Sequence, residues 1–325
     1  MKAVQLARFG GPEVLETIEI PLPQPGPGEV RIGVRAAGVN FFEVLMRADR
    51  YAATPDLPMI LGVEAAGVVD AAGPGVDPAW IGRRVAAPLF AAGRGSGHAE
   101  AVVIGADFAV PLPEDLGFED AVALLVQGLT ALHLVRRSAV EGRAIVVTAA
   151  AGGVGSLLVQ LARRAGAARV IAVAGTAAKQ DLALSLGADA AIDGRAPDWP
   201  AAARAAAGDH GANVVFDLVG GDATEACLQA LAPGGDLVFT ALGRLTVDRA
   251  ALEDMVGLGQ SLRGFALLPL LTPAGLQADL AELFGLAASG QIQVVRGGSY
   301  PLDRAAEAHA AIEDRRTTGK VVLVP

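Results

Sequence analysis

The stretch Ala144 to Leu161, AIVVTAAAGGVGSLLVQL, decides the fold. AIVVT is short, apolar and rich in β-branched residues, which reads as a buried strand. Small residues follow, and then Val154, Leu157, Leu158 and Leu161 recur at helical spacing. The residues from Ala144 to Ala162 carry no charge and nearly reach the ~20 apolar residues that span a bilayer. The glycine-rich centre argues against a span: strand, turn and helix in that order are one unit of a soluble α/β sheet. The turn, Ala150-Ala151-Gly152-Gly153-Val154-Gly155, is a G-x-G-x-x-G pattern with Ala at its first place. The pattern answers three physical demands: a tight turn, close approach of backbone N–H groups to a pyrophosphate, and close packing of helix on strand at the last glycine. Gly152 and Gly155 hold the two more demanding places.

Towards the C-terminus, the apolar runs RVIAVA, AAI, NVVFD and DLVFT alternate with helical stretches and with turns at Gly166, Gly187, Gly211 and Pro233-Gly234-Gly235. This alternation predicts a Rossmann-type doubly wound parallel sheet, with SLRGFALL as a sixth strand completing two βαβαβ halves. From Met1 to about Asp120 the rhythm differs. Short apolar runs broken by Gly and Pro predict a β-rich domain with strands in VRIGVRAAGVN, GVEAAGVVDAAG, RRVAAPL and HAEAVVI and a short helix around Phe41 to Arg50. After Gly264 come a helix capped by Thr272 and stopped at Gly290, a helix from Asp303, and a terminal strand KVVLV. That tail is too small to fold alone. The expected organisation is therefore residues 1–120 with 265–325 forming one domain, and 121–264 inserted as the nucleotide-type domain.

A chain of 325 residues suits two domains. Lys plus Arg number 26 against 35 Asp plus Glu, a net of -9 whose field repels polyanions. With 4% aromatic residues, stacking platforms for bases are scarce, so nucleic-acid binding is not expected. The single cysteine, Cys227, excludes a disulfide framework and a multi-cysteine zinc site, and fits a reducing compartment. It lies in an apolar helical stretch beside Leu228 and Leu231 and reads as a small buried hydrophobe. His98, His133, His210 and His309 lack ligand spacing and read as structural or surface residues. MKAVQLARFGG lacks the apolar core of a secretory signal, so a cytoplasmic protein without a membrane partner is expected.

RVIAVA ends at Ala174, where a carboxylate would accept hydrogen bonds from the ribose of NAD. No Asp or Glu is there. Gly175-Thr176-Ala177-Ala178-Lys179 offers instead a hydroxyl, exposed backbone and one of only three lysines in the chain, a set suited to a 2′-phosphate. NADPH is therefore favoured over NADH.

Several segments in this order resemble one family: GVNFFEVLMRADRY, LGVEAAGVV, QGLTALHLV, the glycine turn, GTAAK with LGADAAID, FDLVGG, LAPGGDLVFTALG and AAEAHAAIEDRRTTGKVVLVP. The chain is similar to the zinc-free quinone oxidoreductase, or zeta-crystallin-like, branch of the medium-chain dehydrogenase/reductases. The resemblance implies a GroES-like β-rich catalytic domain, an inserted Rossmann domain, NADPH in the cleft and a homodimer. It places Asn40 and Thr130 by the nicotinamide and ribose, and Gly152, Gly153, Val154 and Gly155 on the pyrophosphate. Gly175, Thr176 and Lys179 fall on the 2′-phosphate, Val219, Leu242 and Gly243 along the groove, and Gly264 and Phe265 near the carboxamide. Arg315 and Lys320 match tail positions that reach cofactor phosphates. Some relatives carry a tyrosine phosphate ligand where this chain reads Ile192-Asp193-Gly194, which weakens the expected NADPH preference. Zinc-dependent cousins use a Cys and a His where Asn40 and Glu64 stand here, and Glu64 alone cannot hold zinc.

Without a metal or a nucleophile arrangement, catalysis would rest on the cofactor and on alignment, with Asn40 and Tyr51 as donors to the acceptor oxygen. A quinone is the first substrate expected. An enone or an enoyl thioester is the second, because the same hydride geometry serves both. A third reading is an NADPH-binding protein with a crystallin-like or RNA-associated role.

Overall fold

Ala144–Val147 is a strand, as its composition predicts, and in the computed structural model, which describes residues 1–325, it stands at the centre of a six-stranded parallel sheet. The others in chain order are Arg169–Ala174, Ala190–Asp193, Ala212–Asp217, Leu231–Phe239 and Ser261–Gly264. Their spatial order is third, second, first, fourth, fifth, sixth. Every neighbouring pair is parallel, with Val170 opposite Ile145 and Val215 opposite Val146. Parallel strands inside a sheet are buried on both faces, which is why Ala144–Val147, Arg169–Ala174 and Ala212–Asp217 are nearly continuously apolar rather than alternating, while the edge strand Ser261–Gly264 is not. Val146, Ile171, Val215 and Leu237 pack with Trp199, Ala203, Cys227 and Leu228 from the helices Trp199–Ala207 and Ala223–Ala230. The two strands that follow the first join its one side and the three after them join its other side, so the strand order reverses beside the end of Ala144–Val147.

This sheet belongs to the compact unit Thr130–Leu267; the other unit is Met1–Leu129 with Leu268–Pro325. The divisions lie later than the 120 and 264 that the sequence suggests. Ala121, Val122, Ala123, Leu124 and Leu125 are fully or almost fully buried and the helix Phe118–Ala123 packs on strands of the first unit, so this segment stays with it. The helical run Phe118–Arg136 is long and apolar enough to cross a membrane by composition alone, but most of it is buried within the protein.

The backbone of the first unit is the long strand Glu29–Val39. It pairs antiparallel with Ala65–Ala72, with Ala101–Gly105 and with the terminal strand Lys320–Val324, Val321 lying opposite Val39. The tail thus rejoins the N-terminal part of the chain through a sheet. Val30, Ile32, Val69, Val85, Ile104 and Leu323 fill the core. Arg296–Pro301, which the sequence does not mark as a strand, pairs parallel with Lys320–Val324. Two glycines and a proline in RGGSYP hide it: backbone pairing with the tail, not propensity, makes the strand.

Candidate functional site

In the second unit the glycine turn leaves the central strand at the point where strand order reverses. Thr148 joins two strand ends there: its hydroxyl donates to Phe216 O at 3.1 Å and accepts from Leu218 N–H at 2.9 Å. Ala149 takes a left-handed φ of 47°, and Gly152 caps the helix Gly153–Arg164. A Cβ on Gly155 would collide with Ala149 O and lie 2.7 Å from the Cα of Ala150, so only glycine lets the helix approach the strand this closely. A Cβ on Gly152 would meet only Ala149 O, at 3.1 Å, which leaves the backbone bare at the mouth of the turn. Bare backbone, orphan N–H groups and the positive end of the helix dipole make a cradle for an anion, and a pyrophosphate fits it.

The second strand ends at Ala174. Thr176 caps the helix Ala177–Ser185, its hydroxyl accepting from Lys179 N–H at 3.3 Å. No carboxylate occupies this strand end, and Ala174 lies opposite Asp193 at the end of the third strand. Sequence reasoning missed Arg195, whose side-chain stem runs past Gly175, with Cγ and Cδ 3.7 Å from the position of a Cβ there. No sequence signal marks it, because Arg195 and Gly175 are brought together by strand register.

At the carboxyl end of the fourth strand, the buried Asp217 carboxylate accepts from Val219 N–H and Gly220 N–H at 2.9 Å and from the Thr224 hydroxyl at 2.8 Å. This fixes the turn carrying Val219. Gly221 N–H donates to Arg244 O, which brings Leu242 and Gly243 to the same edge. Phe265 N–H donates to Phe239 O at 2.8 Å, placing Gly264 and Phe265 at the end of the sixth strand. Thr130 is half-buried on the helix Leu129–Arg136. Cys227 is fully buried, and burial, then the nearby Asp217, push its thiol well above the ordinary value, so it is no nucleophile.

In the first unit, Asn40 opens the helix Phe41–Arg47 inside a buried polar cluster. Its Nδ2 donates to Glu43 Oε2 and to Glu64 Oε1, both at 3.0 Å. Its Oδ1 accepts from Gln127 Nε2 at 2.7 Å and from Lys320 Nζ at 2.9 Å. Lys320 is 3% exposed and also donates to Glu64 Oε1 and to Gln127 Oε1. The second oxygen of Glu64 accepts from Val126 N–H at 2.9 Å. Asn40 thus has both amide hydrogens engaged within the cluster, and all three ammonium hydrogens of Lys320 have acceptors there. Glu64 is held against a lysine, and no group of three or more His, Cys, Asp or Glu side chains is placed to hold a metal ion.

Glu43 accepts from Asn40 N–H and from Gly62 N–H, and its burial raises the carboxyl above the usual range against the lowering pull of His98 and Lys320. His98 Nε2 lies 2.9 Å from Gly38 O, and its ring meets that of His309 edge to face at 6.2 Å. The guanidinium of Arg47, fully buried, donates from Nη2 to Glu313. Tyr51 is half-buried against Phe42, their ring centroids 5.7 Å apart, and burial raises its phenol above the ordinary value. Arg315 sits in an exposed turn with φ 56° after the last helix.

Two family models match the chain: an alcohol dehydrogenase GroES-like domain over residues 26–114 and a zinc-binding dehydrogenase over residues 186–323. A quinone oxidoreductase of Pseudomonas aeruginosa is 37% identical, with 100% of this chain and 99% of that protein covered. A 2-haloacrylate reductase of a Burkholderia species is 30% identical over 99% of this chain and 98% of its own. The crystal structure of Escherichia coli quinone oxidoreductase complexed with NADPH superposes with a TM-score of 0.91 at 32% identity, covering both chains completely.

Proposed function

We propose, because the chain belongs to the medium-chain dehydrogenase/reductase family in its quinone oxidoreductase branch, that it reduces a quinone with NADPH and without zinc. The observation that carries the cofactor half is the glycine turn at the reversal of strand order, next to a second strand that ends in Ala174-Gly175-Thr176 and not in a carboxylate. Gly152, Gly153, Val154 and Gly155 would hold the pyrophosphate, and Gly175, Thr176 and Lys179 the 2′-phosphate. Val219, Leu242, Gly243, Gly264 and Phe265 would line the groove, with Thr130 on the ribose side. NADPH supplies the hydride.

The protein's own contribution is alignment and stabilisation of developing charge. The Tyr51 hydroxyl, a phenol that burial raises still further above the physiological range, would donate to the acceptor oxygen. Asn40 acts behind it by holding the start of the helix that carries Phe42, the ring against which Tyr51 packs. A Glu64 engaged by Lys320, Asn40 and Val126 supports a zinc-independent reaction. We place the enzyme in the cytoplasm as a homodimer, which light scattering of the purified protein tests.

The test is NADPH oxidation across benzoquinones and naphthoquinones; no turnover with any of them removes the quinone reading. The similarity to a 2-haloacrylate reductase favours one second reading, reduction of an activated carbon-carbon double bond. Product analysis with a cyclic enone and an enoyl thioester separates the two.

A further inference from the structure

We infer that Arg195 is a ligand of the adenosine 2′-phosphate and sets the preference for NADPH over NADH, a reading that rests on the cofactor assignment above. The parallel register puts Asp193 opposite Ala174, so the turn after the third strand lies beside the turn after the second. Arg195 projects from that turn. Its Cγ, Cδ and Nε lie 3.7, 3.7 and 3.8 Å from where a Cβ of Gly175 would stand, so the stem packs along the residue between Ala174 and Thr176. Gly194 lets this turn lie close on the second strand: a Cβ there would come within 2.8 Å of the Val173 side chain.

The guanidinium has capacity to spare. Its one ion pair is Nε to Asp193 Oδ1 at 3.5 Å, and that oxygen already accepts the Arg195 backbone N–H at 3.0 Å. Both terminal nitrogens are uncommitted, and a guanidinium offers a planar fork that matches phosphate oxygens in pairs. A 2′-phosphate carries close to two negative charges. NADH presents a neutral ribose hydroxyl at the same place, which gains little from the fork and can donate to a carboxylate instead. Asp193 is that carboxylate, one strand over from the position where an NAD-preferring site would carry it. Arg195 therefore acts twice: it binds the phosphate, and it shields the phosphate from Asp193. Its loss should weaken NADPH without weakening NADH.

The experiment is a set of binding titrations by intrinsic and nicotinamide fluorescence, supported by calorimetry with adenosine 2′,5′-bisphosphate and 5′-AMP, none of which requires turnover. Arg195→Leu should weaken NADPH and adenosine 2′,5′-bisphosphate by about tenfold or more, the loss of one charge-assisted contact, while NADH and 5′-AMP stay within about twofold. Arg195→Lys should fall between. The side chain is two-thirds exposed, so the variants should keep the parent melting temperature. A wild-type preference for NADPH that survives Arg195→Leu overturns this proposal alone. Equal wild-type affinities for NADPH and NADH overturn the cofactor reading, and this proposal with it.

Discussion

Lys320 Nζ donates to Asn40 Oδ1 across 2.9 Å, although 280 residues separate them in the chain. The bond ties the terminal strand to the start of the first helix. With Glu64 and Gln127 it closes a buried cluster in which every hydrogen of the ammonium has an acceptor.

Removing one side of this buried ion pair leaves the other charge without compensation. Lys320→Met should cost roughly 3–5 kcal/mol of folding stability. Adding Glu64→Gln should recover part of that, with a coupling of at least about 1 kcal/mol in a urea double-variant cycle. Strict additivity would mean that the pair does not hold this region together.

His309 supplies a pH test. Burial first, then the charges of His98 and Arg47, hold its imidazole well below the ordinary value of 6.5, so the folded state keeps it neutral while the unfolded chain protonates it. The stability tied to neutral His309 is therefore complete above about pH 6.5 and is lost as pH falls toward the depressed value. Urea midpoints for His309→Phe should fall less steeply than those of the parent between about pH 6.5 and pH 5; parallel curves would assign the acid limb to other groups.

Gly155 tests the turn by packing alone. The backbone atoms of Ala149 and Ala150 stand where a Cβ would go and cannot swing aside as a flexible side chain could. Gly155→Ala should cost roughly 1–3 kcal/mol in thermal or chemical denaturation and weaken NADPH binding at the same time. Unchanged stability would place more slack between helix and strand than the structure has.

Tyr51 tests the chemistry. Tyr51→Phe keeps the packing on Phe42 and removes the hydroxyl, so kcat with a quinone should drop on the order of 10², with NADPH affinity unchanged. Because burial raises the phenol, the parent should keep the donor until the pH passes the ordinary tyrosine value of about 10. A variant of parental kcat would leave stabilisation of the acceptor oxygen to another group.

Local pattern was enough for the parallel sheet, its glycine turn and the cap at Thr272. Apolar periodicity and turn chemistry act over a few residues, and the full spatial order of six strands agrees with them. The strand Arg296–Pro301 escaped, since its glycines and proline carry no strand preference and only the neighbouring Lys320–Val324 supplies its hydrogen bonds.

The sequence by itself determined the run of strands in the parallel sheet, where a phosphate cradle can form, and that the second strand ends without a carboxylate. Only the tertiary structure decided what the isolated polar residues do. The pairing of Val321 with Val39 buries Lys320 and Asn40 together, because a charge removed from water must find its partners wherever the register brings them. Arg195 carried no signal until the register of Ala174 with Asp193 laid it along Gly175. In both cases strand pairing between distant segments fixed the partners.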